Sequence, residues 1–400
     1  MPYTPGAGCR WPKRSSLVRG GLNSDTCLLF ATRTARLFAY GFLSVVLALY
    51  LAEIGLSERQ VGLLLTLTLV GDTAISLWIT THADRIGRRR MLLAGAGLMI
   101  LAGALFDLTR NYLLLVLAAT VGVISPSGNE VGPFLSIEQA SLAQLLPGQR
   151  RTAVFAWYNL VGSFATALGA LCGGSLAQGL QNSGLPPLVA YRAVVAAYAL
   201  IGLLLLILFL RLSPAVESLR FAAPPQRETV GRAFLGLHHS RRIVLRLSAL
   251  FSLDAFAGGF VIQSLVAYWF HVRFGVEPVL LGGIFFAANL LAGVSALTAA
   301  WVARRIGLIR TMVFTHLPSN LLLMLVPLMP SLPLALAFLL LRSALSQMDV
   351  PARSSYVMAV VSPGERAAAA SVTAVPRSLA AATSPSLAGY LLSLSAFGWP

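Results

Sequence analysis

Eleven apolar runs, most at or beyond the roughly 20 residues a helix needs to cross a bilayer, divide this 400-residue chain. They fall near 35–53, 58–80, 91–109, 111–145, 152–180 and 191–211, then near 243–270, 279–303, 308–329, 333–361 and 367–396. Backbone polar groups in lipid must be satisfied within their own segment, and runs this long and uniform are not barrel strands, so each reads as a helix. Charged residues are only 11% of the chain, against about 25% in soluble domains. An all-α polytopic membrane protein follows.

The net charge of +16 raises nucleic acid as a partner, but the placement of the arginines answers it. Arg10 to Arg36 precede or enter the first run, Arg85 to Arg90 follow the second, Arg150 and Arg151 follow the fourth, and Arg211 to Arg246 fill the centre. Arg304, Arg305, Arg310 and Arg366 fall in later turns of the same parity, and only Arg59, Arg110, Arg192 and Arg273 in the other. Positive residues collect on the cytoplasmic side of a membrane, so the N-terminus and the centre are expected there, in the cell membrane, with no nucleic acid bound. Cys9, Cys27 and Cys172 imply no disulfide framework.

Residues 1–30 are basic and rich in Gly, Ser and Pro, and read as a disordered cytoplasmic tail rather than a signal peptide. Residues 31–211 form one apolar block, 212–242 a proline- and arginine-containing linker that includes His238-His239, and 243–400 a second block. The blocks correspond. Asp84 matches Arg304 at an offset of 220, while Pro147-Gly148-Gln149-Arg150 matches Pro363-Gly364-Glu365-Arg366 at 216, and Gly173 matches Gly389 at that same offset. Nearly constant offsets mark a duplication of a six-helix bundle. The second block holds five runs, so a twelfth span is missing at Gly398-Trp399-Pro400 and this bundle is expected to be incomplete.

The turn Asp84-Arg85-Ile86-Gly87-Arg88-Arg89-Arg90 joins the second and third runs. Gly87 supplies a tight turn, and Asp84 can pair with arginines or cap a helix N-terminus. The turn resembles the signature loop of the major facilitator superfamily of transporters, and its degraded copy keeps Arg305, Ile306, Gly307 and Arg310 but has Arg304 at the acid position. The resemblance implies two pseudo-symmetric helix bundles and a gating role for Asp84, Arg85, Gly87, Arg88, Arg89 and Arg90. Positive-inside anchoring alone explains the arginines but not the acid. Gly169-Ala170-Leu171-Cys172-Gly173-Gly174 further resembles a packing motif of drug/proton antiporters, with Ala170 in place of its proline, and Ser384-Pro385-Ser386-Leu387-Ala388-Gly389 looks like a divergent copy. Small residues let helices approach closely, so Gly169, Gly173, Gly174 and Gly389 are packing positions.

The fourth run is interrupted by Ser125-Pro126-Ser127-Gly128-Asn129-Glu130-Val131-Gly132-Pro133, and the tenth by Gln347-Met348-Asp349-Val350-Pro351. Irregular backbone at membrane depth is tolerated only inside protein or beside a water-filled cavity, and paired interruptions point to a site between the halves. Ionisable side chains at that depth are functional candidates by default. Glu130 leads as a proton-coupling carboxylate, then Asp254 and Asp349; Asn129, Gln347, Arg342, Arg353 and Arg377 are cavity candidates. Asp349 and Arg353 can equally form a structural ion pair at helical spacing. Asp72 is expected to pack against a neighbouring helix, Glu138 to lie at the interface, and Arg33 and Arg36 to snorkel to the headgroups.

No phosphate loop, zinc motif or nucleophile elbow occurs, so neither a cofactor nor an enzyme is expected. The reading is a monomeric secondary transporter that exports a small molecule against proton entry. Proton-driven or facilitated uptake is the alternative within transport, and a non-transporting sensor or scaffold is the alternative outside it.

Overall fold

A computed structural model describes residues 24–130, 132–146, 148–217, 237, 240–362 and 365–394. The readings made for most of the basic tail, for His238-His239 and for the region of a twelfth span lie outside them. The first half contains α1 (Ser24–Ser44), α2 (Leu47–Glu53), α3 (Glu58–Ile86), α4 (Arg88–Leu108), α5 (Tyr112–Val121), α6 (Phe134–Leu145), α7 (Gly148–Asn182) and α8 (Pro187–Leu210). After a short 3-10 turn at Pro214–Val216, the second half contains α9 (Arg241–Gly259), α10 (Gln263–Phe274), α11 (Pro278–Ile306), α12 (Leu308–Leu325), α13 (Leu332–Leu345), α14 (Asp349–Val360) and α15 (Arg366–Leu394).

Among the described residues eight helical stretches are long and apolar enough to cross a membrane, or nine when α1 and α2, bent by 43°, count as one. The broken pair α5 and α6 and the more polar α15 complete the six-plus-five order of the sequence. Local chemistry sets the ends. Ser57 and Gln60 form a reciprocal capping box at the start of α3. Gly87, at φ 118°, closes α3 and opens α4, and Gly307, at φ 87°, does the same between α11 and α12; a side chain would strain either turn. One face of the molecule, here the linker face, carries these two turns and the described ends of the linker. The opposite one is the far face.

Glycines decide how closely the helices pack. A Cβ on Gly169 would stand 2.0 Å from Phe38 O, and one on Gly173 2.1 Å from Phe42 O, so both seat α7 against α1 within the first half. Gly174 instead faces the other half, where its Cβ would lie 2.2 Å from Pro278 O and 3.0 Å from the Cα of Gly282 on α11. Gly389 on α15 meets α3 in the same manner, 2.3 Å from Glu58 O and 2.8 Å from the Cα of Gly62. The two crossings are pseudo-symmetric. Gly174, rather than the Gly173 of the sequence match, is therefore the spatial counterpart of Gly389. Both crossings lie towards the far face, where α3 and α11 begin and α7 and α15 end.

Candidate functional site

The interrupted fourth passage is non-helical from Gly122 to Glu130 and again at Gly132 and Pro133, as its glycines and prolines require. Its freed carbonyls find protein donors: Tyr198 Oη donates to Val123 O at 2.6 Å, Ser125 Oγ to Asn129 O at 2.7 Å, and the Ser264 amide to Pro126 O at 3.0 Å. Ser264 stands where α9 breaks into α10, and its hydroxyl lies 2.7 Å from both Pro126 O and Ser44 O. Ser44 marks the bend between α1 and α2. Gln263 Nε2 donates to Ser44 Oγ at 2.8 Å, and Asn289 Nδ2 to Gln263 Oε1 at 3.2 Å. Three broken passages from both halves thus meet at one polar point. Asn129, just beyond it, is exposed. The tenth passage breaks between α13 and α14, where the Gln347 amide donates to Ser295 Oγ on α11 at 3.3 Å.

On the first half, charged side chains converge behind this point. Arg33 Nη1 and Arg36 Nε lie 2.8 and 2.9 Å from the two oxygens of Glu130. Arg36 also pairs bidentately with Glu138, at 2.8 and 2.7 Å, both side chains fully buried. Thr32 Oγ1 at 2.9 Å and the Tyr158 hydroxyl complete the Glu138 shell, while Arg33 donates to Tyr158 O at 2.8 Å and Asn159 Oδ1 at 3.3 Å. This overturns two expectations. Arg33 and Arg36 do not snorkel, because α1 already runs from Ser24 and carries them inward to the two glutamates. Glu138 is not interfacial; α6 turns it into the bundle towards Arg36. Asp72 lies nearby on α3, half-buried, accepting from Ser76 Oγ at 3.4 Å.

On the second half the expected pair of Asp349 and Arg353 exists, Nη2 to Oδ2 at 3.1 Å, as part of a closed ring. Arg353 Nη1 reaches Asp254 Oδ2 at 3.1 Å. His316 Nε2 lies 2.7 Å from Asp254 Oδ1, and its Nδ1 lies 3.6 Å from Asp349 Oδ2. Sequence reading passed over His316, a lone histidine in the apolar α12. Arg377 on α15 is exposed beside the ring, within electrostatic reach of Asp254, Asp349 and Arg353. Arg342 on α13 is half-buried with its Nε unpartnered among the described residues. The two halves use opposite polarity at matching places. Arg36 on the first passage pairs with Glu138 on the fourth, whereas Asp254 on the seventh pairs with Arg353 on the tenth.

At the linker face Asp84, 68% exposed, accepts from Arg88 Nε at 2.9 Å. Arg88 Nη1 donates to Gln144 Oε1 at 3.1 Å, and Gln144 Nε2 to Ala215 O and Glu217 O at 3.0 and 2.9 Å. The Glu217 carboxylate accepts from the amides of Arg88 and Arg89 at 2.7 and 3.3 Å, so Glu217 takes the cap at the α4 N-terminus that Asp84 was a candidate to fill. Arg89 donates to the carbonyls of Phe209 and Leu210. Arg85 and Arg90 are exposed.

Residues 29–385 match the sequence pattern of the Major Facilitator Superfamily. An uncharacterized membrane protein of Saccharomyces cerevisiae is 32% identical over 392 residues, covering 92% of this chain and 88% of its own. A quinolone resistance protein of Staphylococcus aureus is 22% identical over 157 residues, 39% of each chain. Among solved structures, a bacterial homologue of the human lysosomal transporter Spinster, inward-facing and unoccupied, has a TM-score of 0.71 at 18% identity, covering 92% of this chain and 82% of its own.

Proposed function

Because the chain belongs to the Major Facilitator Superfamily, and is thus a multi-pass membrane transporter rather than an enzyme, we propose that it exports a small molecule by alternating access, driven by protons entering in exchange. The observation that carries this reading is the pair of charged clusters at membrane depth, one in each half, built on the broken fourth and tenth passages. Charges are held at that depth, against their desolvation cost, where they bind a substrate or relay a proton. Glu130, Asp254 and Asp349 are the coupling carboxylates, and Asn129, Gln347, Arg342, Arg353 and Arg377 line the path. Close glycine crossings at the far face favour export, as does similarity to a quinolone resistance protein. In this reading the protein works as a monomer in the cell membrane, with the linker face and N-terminus cytoplasmic, and Asp84 gates that face.

The test is flux of a fluorescent quinolone in proteoliposomes of fixed orientation with a proton gradient imposed. Export should rise with proton entry, and Glu130→Gln should cut the gradient-driven part roughly tenfold, within the usual range of coupling between sites. Undiminished coupling in a folded Glu130→Gln protein removes Glu130 from the mechanism, and net uptake under the same gradient reverses the direction.

A further inference from the structure

The geometry points to the His316 imidazole, held between Asp254 and Asp349, as the group that carries the proton which those two carboxylates couple to the second half. Its two ring nitrogens face two different carboxylates, at 2.7 and 3.6 Å. A neutral imidazole has one N–H and one lone pair, so it would turn that lone pair towards an anion. Only the imidazolium suits both neighbours. Among the described residues Arg353 is the one arginine in ion-pair contact with both aspartates, so a proton on His316 brings the groups in direct contact to zero, while Arg377 acts on them from longer range.

Among the described residues no other group forms an ion pair with His316. His316 meets Asp254 from α9 and Asp349 and Arg353 from α14. Arg377 of α15 acts on the aspartates from the exposed side. The charged residue of α13 is Arg342, and those of α11 are Arg304 and Arg305 at its linker-face end. The His316 and Asp254 side chains are 35% and 29% exposed, so neither is sealed inside the helix packing. It also sits at two weak points of the fold. Pro318, two residues further along α12, removes a helix hydrogen bond, and Asp349 is the first residue after the break in the tenth passage. Losing the proton frees one carboxylate and unties α12 from α9 or α14 where both can bend.

This inference rests on the proton-coupled reading for its role in transport, but not for the protonation itself, and two measurements separate them. In the full-length protein in nanodiscs, uniformly labelled with 15N-histidine, the signal lost on His316→Lys identifies the ring. At pH 7 it should show both nitrogens protonated, and in Asp254→Asn the imidazolium-to-imidazole ratio should fall at least about tenfold, one unit on the pH scale. A neutral ring in the wild type, or one indifferent to Asp254→Asn, overturns the site. In proteoliposomes, His316→Lys retains the charge but holds its proton at neutral pH, so it should still exchange a fluorescent quinolone across the membrane while losing gradient dependence. Wild-type gradient dependence in that variant overturns the coupling role. If the wild type itself shows none, proton-coupled transport falls, and the histidine spectra still decide the site.

Discussion

At the scale of single residues, Arg36 and Glu138 define the first half. Two fully buried, oppositely charged side chains in bidentate contact gain little over a hydrophobic pair, but removing one strands the other. Glu138→Gln or Arg36→Met should each cost about 3–5 kcal/mol, read as lower thermal stability in detergent, and the double variant should cost less than the sum of the two. Strict additivity would mean that the pair is not coupled. The sequence hid this pair because hydropathy starts the first run near residue 35, whereas α1 begins at Ser24. Arg36 is thus twelve residues into the helix, about 18 Å along it. His316 was hidden differently: a single histidine among apolar residues has no partner in its own helix, and its aspartates come from α9 and α14. Glu217 lay in a linker, where nothing in the sequence aims it at the amides of Arg88 and Arg89. Glu217→Ala should remove about 1 kcal/mol, a typical loss for a helix cap, leaving a smaller stability change than either buried substitution.

At the scale of helices, breaks and crossings carry the design. The break in the fourth passage was legible because Ser125-Pro126-Ser127-Gly128 is polar and rich in helix breakers. Those in the first and seventh were not, since Val45-Val46 and Phe260-Val261 are as apolar as their surroundings; tertiary bonds from Ser264 and Gln263 select the bend. The glycine crossings were half legible. Sequence marked Gly174 and Gly389 as small, but Gly62 and Gly282 become visible only once the helices are opposed. A valine at Gly174 or Gly389 would meet backbone carbonyls at 2.2 or 2.3 Å, and a carbonyl in a helix moves only with the helix. Each substitution should open the far face. The measure is labelling of Ser44→Cys, fully buried at the α1–α2 bend, by an impermeant maleimide added from that side, with Cys9, Cys27 and Cys172 replaced. Gly179→Val, on the same helix with nothing within 4 Å of its Cβ, is the control that should leave labelling unchanged. Equal labelling in all three would detach the crossings from the seal.

At the scale of the whole molecule, duplication was legible and its asymmetry only partly so. Matching offsets announced two related halves, and Arg304 opposite Asp84 announced that the loops differ. What the sequence could not convey is that the difference extends into the contacts. Around Gly87 the loop is knitted to its own linker: a Cβ there would lie 3.2 Å from Glu217 Oε1, and Asp84, Arg88, Gln144 and Glu217 form a continuous chain of bonds. Among the described residues a Cβ on Gly307 would meet nothing within 4 Å, and Arg305 stacks over Trp301 of its own helix at 4.5 Å. A two-state gate responds to a group only as far as that group's contacts differ between the states. Asp84, exposed and bonded to the arginine that anchors the linker, would have contacts to exchange in such a gate, whereas Arg304 is exposed at a turn with no such linker contact among the described residues. Asp84→Asn should therefore lower transport flux roughly five- to tenfold, as expected for a coupling near 1 kcal/mol, with substrate affinity little changed. Arg304→Asn should stay within twofold of the wild type, about the scatter of a surface substitution. Equal losses in the two variants would place the gate in both halves and separate it from the linker contacts of the first.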